Sequence, residues 1–226
     1  MHFLNTALLA AASLAGSAFA HSEVTLGSVG PTNAMLFLNG FHFISGNSSQ
    51  EIQANHYCAI MNDDFIQCTV YMPGSNPMRL AGVEYIISGA AFEKLPWEEK
   101  QLWHSHQFEV TSGFLVEPNL PPNVDHAIME ILVGTYGKTF HTWPYASKGS
   151  DIPIGIPELV MGFTGDGQMS KKFQKTRDRM FGTDTNKIRK SRLDINAPPV
   201  LDGADSWRYG YTLNLGLTNV TAEPPF

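Results

Sequence analysis

Cysteine is scarce in this chain: only Cys58 and Cys68 occur among 226 residues. With two thiols and no second pair, a Cys-ligated zinc module is excluded. Charge is sparse as well, at 16% against 43% hydrophobic residues, a balance too apolar for a disordered chain. No stretch reaches the about 20 apolar residues a membrane span needs, and internal repeats and low-complexity tracts are missing. Collagen, coiled coil and polytopic membrane protein therefore drop out. Gly-x-Ser-x-Gly, His-Glu-x-x-His and a phosphate-cradling glycine loop are also missing, so serine hydrolase, zincin and nucleotide-binding readings lose their usual support.

What is present begins with a leader. Phe3 to Ala15 is apolar, with Leu4, Leu8, Leu9 and Leu14, and ends in Ala18-Phe19-Ala20, the small-x-small pattern of a signal peptidase site. Residues 1–20 read as a secretory signal, although its first residues lack Lys or Arg. The roughly 206 residues left suit one domain. Export agrees with two glycosylation sequons, at Asn47 and Asn219. It also favours a disulfide. Residues 56–71 read as two strands around Asn62-Asp63-Asp64, and with Met61 facing Phe65, Cys58 and Cys68 lie directly opposite. A bridge closing so short a loop is worth about 2.7 kcal/mol on chain-entropy grounds. Two buried free thiols are the alternative.

The formal charge of −6 is unevenly spread. Lys171 to Arg192 holds nine of the fifteen basic residues against Asp178 and Asp184. Nucleic-acid binding would want aromatics interleaved on a recognisable module, and neither is there. Contact with anionic lipid headgroups suits the run better, and a solvated helix face is the plain alternative.

Short aromatic and aliphatic segments at 35–44, 52–60, 65–71 and 80–87, punctuated by Gly, Asn and Pro, predict strands. Ala90 to Trp103 reads as helix, with Pro96 restarting a turn. His104 to Val116 reads as strand, and Asn123 to Tyr136 as a helix with Val124, Ala127, Ile128, Ile131 and Leu132 on one face, ended by Gly137. Further strands are expected at 139–143 and 158–163. A helix is expected at 168–181, with a thin stripe of Met169, Phe173 and Met180, and a strand-like stretch around 209–217. Strands and helices mix without βαβ alternation, which predicts an α+β single domain: a mainly antiparallel sheet with a few packed helices.

Four of the seven histidines left after cleavage fall in predicted strands beside aromatics: His56, His104, His106 and His141. In a strand from His104, the even positions His104, His106, Phe108 and Val110 share a face. Their Cα atoms are about 6.6 Å apart at i and i+2, and two imidazoles can converge on one ion at about 2.0 to 2.1 Å. By the same parity Glu109 points away and joins them only through a bulge. Glu84 fits better, as a lone acid on the face carrying Leu80, Gly82 and Ile86, because an unpaired buried carboxylate is costly. The sharp expectation is a pocket of Glu84, His104, His106 and His141, with His56 nearby, holding a divalent metal ion or doing acid–base work. Ordinary hydrogen-bonded core histidines are the alternative. A cupin comparison fails on spacing, since only Gln107 and Phe108 separate His106 from Glu109 and the flanking glycines are missing. Cleavage after Ala20 would also make His21 the first residue, whose amine and imidazole could chelate copper.

The runs Phe41-His-Phe43, Asn55-His-Tyr-Cys-Ala59, Gly82-Val-Glu-Tyr-Ile-Ile87, Leu102-Trp-His-Ser-His106, Tyr136-Gly-Lys-Thr-Phe-His141 and Phe163-Thr-x-Asp-Gly-Gln168 together resemble the oil body-associated proteins, over about residues 40 to 196. This divides the chain into a signal (1–20), an N-terminal extension (21–39), the domain (40–196) and a C-terminal extension (197–226). The resemblance implies a domain of unknown biochemical function, known in plants for association with seed oil bodies and present in fungi and bacteria. The leader makes this chain a secreted, fungal-type member. Position by position, the resemblance carries His104, His106, Glu84 and His141. Many relatives have a further His and Asp where this chain has Ile60 and Met72, which weakens any role there. Because those relatives keep both cysteines in reducing compartments, the disulfide is not essential to the fold. Three functions follow as expectations: a metal-dependent or acid–base enzyme for a small or apolar substrate, a non-catalytic lipid-surface or lipid-binding protein, and a copper binder through His21.

Overall fold

The computed structural model describes residues 34–143 and 152–222. The leader and His21 lie outside them. Strands β1 (Leu36–Ile44), β2 (Asn47–Asn62), β3 (Phe65–Met72) and β4 (Arg79–Ile87) form an antiparallel meander. A two-residue strand, β5 (His104–Ser105), and the longer β6 (Tyr136–His141) and β7 (Glu158–Gly162) complete the set. β6 pairs with β4, β7 with β6, and β7 with β1. The sheet therefore closes into a six-stranded up-and-down barrel, with β5 a short addition to β6. Closure leaves no long edge open to pairing. The antiparallel sheet with helices agrees with the sequence reading, and the closure goes beyond it.

In a closed barrel, alternate residues face inward. One ring of registered neighbours runs Leu38, His56, Val70, Gly82, His141 and Glu158, and the next contains Leu36, Cys58, Cys68, Glu84, Thr139, Val160 and Ile44. The inner face thus comprises even positions of β1 to β4 and odd positions of β6. One barrel end is filled by Leu36, Leu38, Ile66 and Ile86, against which Ile128, Met129 and Leu132 pack. Outside, Phe41, Phe43, Phe114, Met161 and Phe163 form a second apolar layer.

Among the described residues six helices decorate the barrel: α1 (Gly89–Glu93), α2 (Trp97–Lys100), α3 (Gln107–Ser112), α4 (Pro122–Leu132), α5 (Lys171–Phe181) and α6 (Thr185–Ser191). Among the described residues none is long and apolar enough to cross a membrane. Ser170 caps α5 by accepting from the Phe173 N–H, and Gly182 ends it at φ 65°. Asp184 caps α6 through the N–H groups of Asn186 and Lys187.

Several expectations need correction. The strand predicted over 104–116 stops after Ser105. His106 adopts a helical backbone (φ −85°, ψ −2°), and α3 follows. The helix predicted to 136 ends at Leu132, and Gly137 belongs to β6 rather than to a helix terminus. Helix 90–103 is two short helices. Beyond the 3-10 turn Ser206–Tyr209, residues 211–222 have no regular structure where a strand was expected. This tail is held by the Ser45 hydroxyl, which donates to the Leu213 carbonyl. On α5 the fully buried side chain is Arg177, while Met180 is exposed. Cys58 and Cys68 are direct cross-strand partners and form a disulfide. The hairpin closes one residue later than predicted, with Asn62 rather than Met61 opposite Phe65 and the irregularity falling at Met61.

Candidate metal centre

Inside the barrel the strands bring together His42 from β1, His56 from β2 and Glu84 from β4. The β5–α3 segment adds His104, His106 and Glu109, and all six are at most 3% exposed. Glu109 joins because α3 replaces the predicted strand. On a helix, a residue three after His106 returns to its side, and Oε2 of Glu109 lies 3.9 Å from Nε2 of His106. Nε2 atoms of His42, His104 and His106 each approach both carboxylates, at 3.7, 3.9 and 3.2 Å from Glu84 and 3.9 Å from Glu109. Three overlapping trios, His42/His104/Glu109, His42/His56/Glu84 and Glu84/His104/His106, have donor atoms within 4.8 Å of one another.

Hydrogen bonds fix two of the imidazole tautomers. Nδ1 of His56 lies 3.3 Å from the Leu38 carbonyl, which can only accept. The Thr135 hydroxyl gives its proton to the Leu132 carbonyl at 2.7 Å, so at 2.8 Å it accepts from Nδ1 of His106. In both rings Nε2 is therefore the nitrogen left to face Glu84, His56 at 2.9 Å from Oε2 and His106 at 3.2 Å from Oε1. A bare Nε2 lone pair against a carboxylate oxygen is repulsive, so each contact calls for a cation between its two atoms, a proton or a metal. Neither oxygen of Glu109 is hydrogen-bonded among the described residues.

Electrostatics without an ion shows the same tension. Burial alone would raise Glu84, but the facing imidazoles, His56 first, then His106 and His42, outweigh it and hold Glu84 well below the usual carboxylate range. Burial, then the Glu84 charge, pushes Glu109 well above that range. Burial lowers His42 to about 3 against the opposing pull of Glu84 and depresses His104 strongly. His42 and His104 are therefore neutral at physiological pH, the form that ligates metals.

Other residues hold the donors in place. Ser105, between the two β5–α3 histidines, donates its N–H and hydroxyl to Asp205 at 2.8 and 2.7 Å. Arg192 donates to the carbonyls of Val110 and Leu115, and Arg177 to those of Gly113 and Phe114. These buried guanidinium groups satisfy carbonyls at the end of α3 that a helix leaves unpaired. Gly137 and Gly162 make room: a Cβ on Gly137 would lie 2.6 Å from Oε1 of Glu84 and 2.7 Å from Nε2 of His104, and one on Gly162 3.0 Å from the His104 ring.

Of the residues singled out in the sequence, Glu84, His56, His104 and His106 belong to these trios. His141 lies on the inner face, 0% exposed. Burial, then His56, lowers it to about 3, but it belongs to none of the described donor trios. Glu109, set aside by strand parity, and His42, passed over, do belong. His42 interrupts the inner face Leu36, Leu38, Gly40 and Ile44, the same signal that marked Glu84. The sequon asparagines Asn47 and Asn219 are exposed. Within the basic run Arg177 and Arg192 are buried, so neither belongs to an exposed cationic face.

Residues 30–196 match the model of the family described as "Protein of unknown function (DUF1264)". Oil body-associated protein 1B of Arabidopsis thaliana is 34% identical over 83% of this chain and 77% of its own length. Oil body-associated protein 1A of Zea mays is 37% identical over 71% and 67%, and protein 2A of Arabidopsis thaliana 36% over 84% and 79%. No solved structure matches the chain. On both the family match and these relatives, the chain belongs to the oil body-associated protein family.

Proposed function

We propose that the protein is a metal-binding barrel, in which His42, His56, Glu84, His104, His106 and Glu109 supply the donors for divalent transition-metal binding. The observation that carries this reading is the convergence of four imidazole Nε2 atoms and two buried carboxylates in three compact donor trios. A buried metal would sit where these contacts otherwise need protons and would use the oxygens that Glu109 leaves unbonded among the described residues. Imidazole and carboxylate donors suit zinc, iron or manganese. The N–H groups given to Leu38 and Thr135 are the outer bonds that ligating histidines make. Elemental analysis of the purified full chain tests this. We expect at least one transition-metal ion per chain, lost in His104→Ala while circular dichroism retains the fold. Protein that purifies metal-free and takes up no zinc, manganese or iron would refute it.

A second reading concerns location and rests on the exposed cations Lys171, Lys172, Lys175, Arg179, Lys187 and Lys190, which make no ion pair with the described residues. The relatives are named for oil bodies, and such a face suits anionic headgroups at a lipid surface. Flotation with triglyceride emulsions tests it: binding should rise with anionic phospholipid and fall with salt. Export through the 1–20 leader completes the reading and is checked by N-terminal sequencing of protein recovered from medium.

A further inference from the structure

We propose that the barrel holds two metal ions rather than one, bridged by the carboxylate of Glu84. This rests on the metal-binding reading and divides its donors between two half-sites. Oε1 of Glu84 faces Nε2 of His106 at 3.2 Å and of His104 at 3.9 Å. Oε2 faces Nε2 of His56 at 2.9 Å and of His42 at 3.7 Å. Glu109 repeats the division: Oε2 lies 3.9 Å from both His104 and His106, and Oε1 lies 3.9 Å from His42. Two of the compact trios are these half-sites, Glu84/His104/His106 and His42/His56/Glu84, and the third, His42/His104/Glu109, links them.

One ion uses only half of this arrangement. Nε2 of His106 meets one oxygen of Glu84 and Nε2 of His56 meets the other. An ion in either half therefore leaves the opposite imidazole–carboxylate contact to a proton, whereas an ion in each half engages both. Four imidazole nitrogens and four carboxylate oxygens also provide the donor count that two four-coordinate ions take. Carboxylates spanning paired ions about 3.5 to 4 Å apart are a recurring solution in two-metal sites. Two dications carry more charge than two carboxylates neutralise. By expanding to a fifth donor, the pair would therefore also take an anionic oxygen ligand, hydroxide at the least, which gives the barrel a chemical class of ligand.

The test is to strip the full chain with chelator, reload it with Mn²⁺, count manganese by elemental analysis and record its electron paramagnetic resonance spectrum. We expect about two ions per chain with exchange coupling between them. Glu84→Gln, which removes the bridging oxygen pair, should end the coupling, and His56→Gln and His106→Gln should each remove about one ion. Saturation at a single ion with an uncoupled spectrum would overturn the pair while leaving metal binding intact, and no uptake at all would overturn both. Should the variants unfold, wild-type stoichiometry and coupling still decide.

Discussion

Thr135 stands between His106 and the end of α4: its hydroxyl donates to the Leu132 carbonyl at 2.7 Å and accepts from Nδ1 of His106 at 2.8 Å. The hydroxyl therefore sets which nitrogen of His106 is free. Thr135→Val keeps the shape and removes the acceptor, and outer-shell changes of this kind typically cost about 10–100-fold in metal affinity. We expect that loss in a competition titration against a chromophoric chelator, with Thr135→Ser close to wild type. A purely structural role would lower the melting temperature and leave affinity unchanged.

Gly137 makes a sharper steric statement. The added Cβ of Gly137→Ala would fall within 2.7 Å of both Glu84 and His104. These side chains are enclosed by the barrel wall, so relief requires them to swing away from each other. Overpacking of this kind costs about 1–3 kcal/mol. We expect a lowered urea midpoint in metal-free protein and loss of bound metal. Gly167→Ala at an open position offers a useful contrast. There nothing lies within 4 Å of the added atom, although φ is +82°, so its cost comes from the backbone and metal binding should survive.

The parts of this site legible in the sequence are those that depend on strand parity. Glu84 is identified by being the acid on an apolar face, and the register of Cys58 with Cys68 follows from a hairpin of nearly correct length. Parity misleads at Glu109, because it assumes that the strand continues past His106, whereas the chain turns into α3. The signal for that turn lies a hundred residues away in Asp205, which holds Ser105. Barrel closure is equally non-local: pairing of β4 with β6 and β7 with β1 leaves no periodic mark in either segment. The basic run looked like a surface feature throughout, because composition does not distinguish a lysine in water from an arginine clasping carbonyls.

Arg177 is the clearest case of that distinction. Its buried guanidinium donates to the carbonyls of Phe114 and Gly113, to the Thr185 hydroxyl and to Asp178. Removing it strands carbonyls at the end of α3 and unpairs a carboxylate, a loss of about 3 kcal/mol. Lysine cannot reproduce the planar fork, so Arg177→Met and Arg177→Lys should both lower stability strongly in urea titrations. Lys175→Ala, on the exposed side of the same helix, should change it by about 0.5 kcal/mol or less. Equal effects at the two positions would dismiss the clasp.

Glu117 sets a pH dependence away from the metal donors. Its carboxylate accepts from the N–H groups of Phe37 and Asn119 at 2.8 and 3.3 Å. Burial raises it to about 7, the two hydrogen bonds opposing and Asp125 adding to the rise. A carboxyl raised in the folded state binds its proton more tightly there than in the unfolded chain, so the folded form holds more protons between about pH 4.5 and 7. Stability must then fall as pH rises through that window and level off above it. Glu117→Gln keeps an acceptor for the backbone and cannot ionise. Urea midpoints of metal-free wild type and variant, measured from pH 4.5 to 8, should therefore diverge with rising pH, the wild type losing up to about 3 kcal/mol relative to the variant. All other titrating groups are common to both proteins and cancel in the difference. Parallel curves would show that Glu117 ionises in the fold as readily as in water.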